Sequence, residues 1–345
     1  MARREYDESD ARVRPSRRGS RPRSKIRPTH ADAVLAVVTA VDRGRYTVEL
    51  LDHTGEHAGT VLTAVKAREL GRRGLVIGDR VSVVGDTTGA DGTLARLVRR
   101  EERSTELRRT ADDTDTAERV IVANADSLAI VTALADPEPN ARMIDRCLVA
   151  AFDAGMDAML VLTKADLGSA DALRAAYEPL GVTVIETDAR SGGSLDADPG
   201  FGLLRDHLVG RDTVLVGYSG VGKSTLVNAL VPAAERAVGH VNDVTGRGRH
   251  TSTSAVRYRL PDGGHIVDTP GVRSFGLAHV DPAHFVAAFP DVADAAAELC
   301  PRGCTHESAQ AGCELDDWAG QDEARRSRVD SIRRLLASRA AGDQY

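Results

Sequence analysis

Long apolar runs are missing from this 345-residue chain, and nothing approaches the roughly 18 consecutive apolar residues that a membrane-spanning helix needs. The first ten residues, MARREYDESD, lack the apolar core of a secretory signal, so a cytoplasmic location away from any membrane is expected. Cysteine is scarce at four residues, and three of the four fall within fourteen positions of one another. Such crowding argues against a disulfide framework and for a metal cluster. Aromatic residues make up only 3% of the chain, which limits any surface that would work by stacking bases. What remains is 42% hydrophobic and 28% charged, enough to bury a core in about two domains with room for a small third.

The net charge of −6 conceals an asymmetry. Residues 1–30 carry ten Lys/Arg against four Asp/Glu, a net +6, so the other 315 residues carry −12. This arm is rich in Arg, Pro and Ser with little to bury, and is expected to be disordered. It reads either as a solubilising tail or as a phosphate-seeking arm for nucleic acid.

Residues 31–100 contain five short Val/Leu/Thr-rich runs, at 34–41, 46–51, 59–65, 80–84 and 92–98, separated by Gly-containing turns. Five strands in about 70 residues suit a small closed barrel of the OB type. Tyr46 is the only aromatic there, so the barrel is expected to touch phosphates or dock on a surface rather than stack bases. The charged stretch 101–117 reads as a linker. Beyond it, over 118–278, strands at 127–134, 158–162, 182–186, 213–216, 255–260 and 265–267 alternate with helical patterns such as 141–154, 170–177 and 223–230. That rhythm predicts a doubly wound α/β sheet. Residues 279–345 turn helical after the Asp281-Pro282 cap. A last helix over 321–338 aligns Val329, Ile332, Leu335 and Leu336, with Arg325, Arg326, Arg328, Arg333 and Arg334 on its other faces. Those arginines read as a solvated face or as a nucleic-acid contact.

Gly217 to Ser224, GYSGVGKS, matches the phosphate-loop pattern between a predicted strand and a predicted helix. Its glycines let backbone N–H groups face phosphates at the positive end of a helix, with Gly217, Tyr218, Ser219, Gly220, Val221, Gly222 and Thr225 lining the site. Lys223 is placed to reach the β- and γ-phosphates and Ser224 to ligate Mg²⁺. Asp268 to Gly271, DTPG, follows the strand 265–267. Asp268 there can hold Mg²⁺ through water, and Gly271 can donate its N–H to a γ-phosphate. Thr163, Lys164, Ala165 and Asp166 form a T-K-x-D guanine motif in which Asp166 accepts two hydrogen bonds that adenine cannot supply. A site built on such paired donors discriminates strongly.

These three motifs occur in an order opposite to the usual one, with the guanine motif first. Such a permutation keeps the sheet intact if the old termini are joined and the chain is opened after D-x-x-G. Between phosphate loop and Asp268 lies GRGRHTST, in which Thr251 or Thr253 could give the second Mg²⁺-ligating hydroxyl. Val272 stands where a water-orienting Gln is common, which leaves His250 as the nearest polar group for hydrolysis. Cys300, Cys304, His306 and Cys313 form a set of three thiolates and one imidazole suited to one tetrahedral structural Zn²⁺. Cys147, in MIDRCLVAAF, reads as a core residue.

With these motifs in hand, the chain resembles the RsgA (YjeQ) family of circularly permuted GTPases. The resemblance covers about residues 31–340 and rests on the barrel-like start, T-K-A-D, G-Y-S-G-V-G-K-S-T, G-R-H-T-S-T, D-T-P-G-V-R-S-F-G-L, the Cys/Cys/His/Cys cluster, and NADSLAIV with MIDRCLVAA. It implies a multidomain protein: an OB-type barrel, a permuted α/β P-loop GTPase domain and a helical zinc-binding domain. It also implies a GTP-hydrolysing factor for late maturation of the small ribosomal subunit, in which His250 is the catalytic residue and the subunit accelerates hydrolysis before release. The implied partners are the small subunit and its rRNA, with GTP and GDP. A monomer is expected. Where the family often has Asn, Thr163 gives up an amide contact, which is expected to lower affinity. Two other readings compete: a GTP-gated rRNA-binding module without catalysis, and an ordinary P-loop ATPase or kinase for which Asp166 would be incidental.

Overall fold

Gly-punctuated β segments open the chain, and in this computed structural model they curl into a barrel. The structure describes residues 30–52, 57–71, 74–110, 118–188, 198–231, 255–269, 275, 282–308 and 312–340. Strands β1 (Val34–Asp42), β2 (Arg45–Leu51), β3 (His57–Lys66), β4 (Arg80–Val84) and β5 (Ala95–Arg100) pair in the order β1-β2-β3-β5-β4, and β4 returns to β1. Arg43 and Gly44, both at positive φ, make the two-residue turn that the right-handed twist of β1 and β2 favours. Ala36, Val38, Val48, Leu62, Val81, Val83 and Leu97 fill the barrel at alternate positions. Tyr46 is buried among them, so it offers no face on which a base could stack.

The stretch expected as a linker instead contributes a strand. β6 (Glu106–Thr110) pairs with β7 (Glu118–Ala123) as a two-stranded ribbon. Its apolar anchor is shared between strands, because Leu107 and Val122 face each other and are both buried. A charged strand of this kind shows little hydrophobic pattern when read alone. The ribbon is tied to the barrel by Arg103, whose guanidinium grips Asp79 through bonds of 2.6 and 2.9 Å and reaches Glu106 at 3.0 Å.

The α/β part follows as β8 (Ser127–Ala133), β9 (Asp157–Thr163), β10 (Thr183–Thr187), β11 (Asp212–Val216), β12 (Val256–Arg259) and β13 (His265–Asp268). Their order is β10-β9-β8-β11-β13-β12, with all neighbours parallel except β12 against β13. Every residue of β8 is buried, as expected for a strand covered on both faces. Helices α1 (Ala141–Asp153) and α2 (Asp171–Tyr177) are accompanied by α3 (Pro199–Leu208) and α4 (Lys223–Leu230). Phe201, Leu204, Leu208, Leu226 and Leu230 of α3 and α4 form one core with the sheet, while α1 belongs to another. β12 also meets β1, which joins the barrel and the α/β sheet into one 11-stranded sheet.

The C-terminal region consists of α5 (Pro282–Ala287), α6 (Pro290–Leu299), α7 (Leu315–Ala319) and α8 (Glu323–Ala340). Val329, Ile332, Leu335 and Leu336 of α8 join Ile144 and Leu148 of α1 in a single core, so these helices pack as a further layer on the α/β sheet. The arginines of α8 are largely committed within the molecule. Arg328 donates to Pro179 O at 3.0 Å and pairs with Asp291, Arg333 pairs with Asp316, and Arg334 donates to Ala176 O at 3.2 Å while lying over Tyr177. The Ala176 carbonyl, left open at the end of α2, thus finds its donors on α8. Among the described residues no helix is long and apolar enough to cross a membrane.

Candidate nucleotide site and metal centre

Gly217 follows β11 in a place that only glycine can hold, since a Cβ there would lie 2.4 Å from Val131 O. Gly220 and Gly222 take φ of +83° and +89°, which turns the loop back into α4 with Gly222 as its N-cap. The free N–H groups of the first turn of α4 therefore open at the carboxyl end of the parallel strands, the usual place for a phosphate. Val221 is buried under the loop, whereas Ser219, Gly220, Ser224 and Thr225 are exposed and Tyr218 is half-buried. Lys223 Nζ forms an ion pair with Asp268 Oδ1 at the end of β13, which brings the phosphate-loop cation and the D-x-x-G acid together. Next to it Thr269 is buried and donates its hydroxyl to Leu215 O at 2.8 Å.

Thr163 ends β9, and its hydroxyl donates to Val221 O at 2.5 Å, with Thr132 O 3.4 Å away. The hydroxyl thus ties the guanine strand to the phosphate loop. Lys164 adopts φ +56° and is buried. Its ammonium donates to Asp136 O. Ala165 is half-buried, and Asp166 is exposed in the 3₁₀ turn Ala165–Leu167. His250, Thr251, Thr253, Gly271 and Val272 lie outside the described residues, as does the basic arm 1–29.

The second centre lies between α6 and α8. The ligand atoms of Cys300, Cys304, His306 and Cys313 all lie within 4.8 Å of one another, and Cys313 Sγ is 3.6 Å from His306 Nδ1. Tetrahedral bonds of about 2.3 Å to sulfur and 2.0–2.1 Å to nitrogen place ligand atoms roughly 3.5–3.8 Å apart, so this donor set fits a tetrahedral soft cation. Burial pushes the Cys300 thiol to about 11, and the neighbouring Cys313 and Cys304 add to the rise. Burial and the charge of Arg333 lower His306, keeping the imidazole in the neutral form that ligates. Arg333 also places Nη2 3.7 Å from Cys313 Sγ, a supporting contact that α8 supplies from twenty residues away.

One contact was not visible in the sequence pattern. Arg146 of α1 is buried and donates Nε to Phe275 O at 2.9 Å, fixing the chain seven residues beyond Asp268. Phe275 itself lies in the core shared with the C-terminal helices. Only the arginine in the middle of an otherwise apolar helical pattern could have signalled this. Cys147, one residue further, is fully buried with its thiol pushed far above the usual range, as suits a core residue.

Comparison with known proteins agrees with this geometry. The RsgA GTPase family matches residues 100–278, a span that takes in the β6–β7 ribbon and all three nucleotide motifs. The chain is 37% identical over 297 residues to the small ribosomal subunit biogenesis GTPase RsgA of Pseudomonas syringae pv. tomato, covering 84% of this chain and 82% of that protein. It is 38% identical over the same length to the protein of that name from Azotobacter vinelandii, with the same coverage. In fold it is similar to YjeQ from Thermotoga maritima, at TM-score 0.59 and 23% identity over 88% of this chain and 99% of that one. It is also similar to YloQ, described as a circularly permuted GTPase, at TM-score 0.60 and 20% identity over 93% and 100% of the two chains.

Proposed function

Because the chain belongs to the RsgA GTPase family and is a GTPase, we propose that it acts as an assembly factor in late maturation of the small ribosomal subunit. The subunit accelerates its hydrolysis, and hydrolysis releases it. The observation that carries this reading is the meeting of T-K-A-D, the phosphate loop and Asp268 at one end of a single sheet that continues into a barrel. Its relatives' name supplies the partner, the small subunit.

In this reading Asp166 accepts from the guanine edge while Lys164 lies along the base. The N–H groups of Gly220, Gly222, Lys223 and Ser224 hold the phosphates, and Lys223 exchanges Asp268 for the β- and γ-oxygens. Mg²⁺ bound with the nucleotide neutralises charge on those oxygens, and Ser224, Asp268 and one of Thr251 and Thr253 are the residues that would hold it. Gly271 donates to the γ-phosphate. Water attacks that phosphorus, the bond to the β-phosphate breaks, and GDP and phosphate leave. Val272 cannot orient the water, so His250 is assigned that task. Cys300, Cys304, His306 and Cys313 hold one structural Zn²⁺, and the barrel and zinc region dock on rRNA. The chain works as a cytoplasmic monomer.

Turnover of GTP measured with and without purified small subunits tests the reading. A low basal rate that rises about 10³-fold or more is expected. An unchanged rate refutes the timer role and leaves a GTP-gated binding module. His250→Ala should remove the acceleration and spare GDP binding, whereas an unaltered accelerated rate moves the chemistry to another group. Asp166→Asn should abolish the preference for GTP over ATP in competition, and a preference that survives refutes its role at the base.

A further inference from the structure

The junction between the barrel and the α/β sheet bears on the nucleotide site more closely than chain order suggests. In the sheet register, Ala40 of β1 stands opposite Val256 of β12. Val256 stands in turn opposite Asp268 of β13. Asp268 is level with Leu215 of β11, two residues before the phosphate loop. A single row of strand neighbours thus runs from the barrel through Val256 and Asp268 to the phosphate-loop strand. At about 4.8 Å between strands, Ala40 lies only about 10 Å from the acid that pairs with Lys223.

Local structure suits β1 to carry force along this row. A bulge between Val38 and Ala40 bends β1 where it leaves the barrel, so that Ala40 pairs with Thr47 of β2 on one side and Val256 on the other. Val41 packs against both the barrel core and the core beneath α1. On β12, Tyr258 is half-buried, and its hydroxyl titrates above the usual range because of burial and the charge of Asp268. The β12–β13 pair is therefore a short lever with the barrel on its outer edge and Asp268 on its inner one.

We propose that Ala40 and Val256 are positioning residues for the subunit-accelerated rate alone, and that the rung they form transmits docking of the barrel to Asp268. The proposal rests on the reading that the small subunit accelerates turnover. Docking fixes the barrel, the rung fixes β12, and β12 fixes the height of Asp268 against Lys223. No contact between barrel and nucleotide is required. A misplacement of about 1 Å at a reacting centre costs up to about 10²-fold, so a small slip at this rung is enough to matter.

Full-length Ala40→Pro tests this, since proline cannot sustain regular pairing in the middle of a sheet. Small-subunit binding, basal turnover and GDP affinity should stay within about twofold of the wild type. The accelerated rate should fall roughly 10- to 100-fold, with more Mg²⁺ needed for half-maximal rate. Val256→Gly serves where the proline lowers GDP affinity. Hydrogen exchange over 256–259 reports that the rung has opened. Wild-type acceleration in a variant with an open rung overturns the proposal. In a second arm, Ala40→Cys with Val256→Cys should form a disulfide, because facing Cα atoms in an antiparallel pair are about 4.5–5.5 Å apart. The oxidised protein should keep full acceleration, and its loss overturns the proposal by showing that the rung must open. A wild type that small subunits do not accelerate refutes the underlying reading instead, and the proposal with it.

Discussion

Replacing Gly78 by alanine probes the seam between barrel and GTPase domain at its tightest point. A Cβ on Gly78 would stand 1.9 Å from Ala123 O, and the residue has φ +82°. The left-handed conformation alone costs a residue with a side chain about 1–2 kcal/mol. Relief of the clash requires the two backbones to part by roughly 1.5 Å to reach ordinary contact. Three hydrogen bonds cross or flank this seam: Gly78 N to Val38 O at 2.9 Å, Ala123 N to Ile77 O at 2.9 Å, and Asn124 Nδ2 to Gly78 O at 2.7 Å. At about 0.5–1.5 kcal/mol each, their loss brings the total to about 3–6 kcal/mol. A unit of this size loses about 2–4 °C in Tm per kcal/mol, so calorimetry should find a fall of roughly 6–24 °C. A Tm within about 2 °C of the wild type would refute the reasoning, because it would mean that the seam parts at almost no cost.

Thr163→Ala removes the bond to Val221 O and should weaken GDP binding about 5- to 10-fold by titration calorimetry, with Thr163→Ser restoring it. Equal affinities for all three proteins would show that the loop needs no tie. Elemental analysis should find one zinc per chain, lost in Cys313→Ser, and chelation should lower the Tm because the site shares its core with α1. A chain that binds no metal at either stage contradicts the assignment. Asp212 is half-buried, and that desolvation alone would raise it, but His265 and Arg257 hold its carboxylate below the ordinary value of 3.8. A depressed acid contributes stability above its unfolded pKa and loses it as the pH falls through the lower folded value. Asp212→Asn should therefore be less stable at neutral pH and lose less on acidification below about pH 4 in urea melts. Parallel pH curves for the two proteins would refute the pairing.

Motifs built on fixed side-chain chemistry were legible in the sequence. GYSGVGKS, TKAD and DTPG each pair a residue type with a strand end, and the sheet gathers their described residues at one end. The five barrel strands were legible because Gly turns separate runs whose alternate residues are buried. Strand β6 was not, since Leu107 is its one buried apolar residue, packed with Val122 and the core beneath α1, and its neighbours are charged. Partners of a backbone carbonyl are also silent in a sequence. Thr163 finds Val221 O across 58 residues, Arg146 finds Phe275 O across 129, and Arg334 finds Ala176 O across 158. For the same reason the arginines of α8 read as a solvated or RNA-facing row, although Arg328, Arg333 and Arg334 fasten the helix in place.

In this proposal Asp268 is the residue through which docking of the barrel on the subunit reaches the nucleotide site. The most direct test is single-turnover GTP hydrolysis by full-length protein across a titration of purified small subunits, repeated for Asp268→Asn. The account predicts a rate that rises with subunit occupancy to at least about 10³ times the basal value in the wild type and stays near basal in the variant. A wild-type rate that ignores the subunit, or a variant accelerated as fully as the wild type, would contradict it.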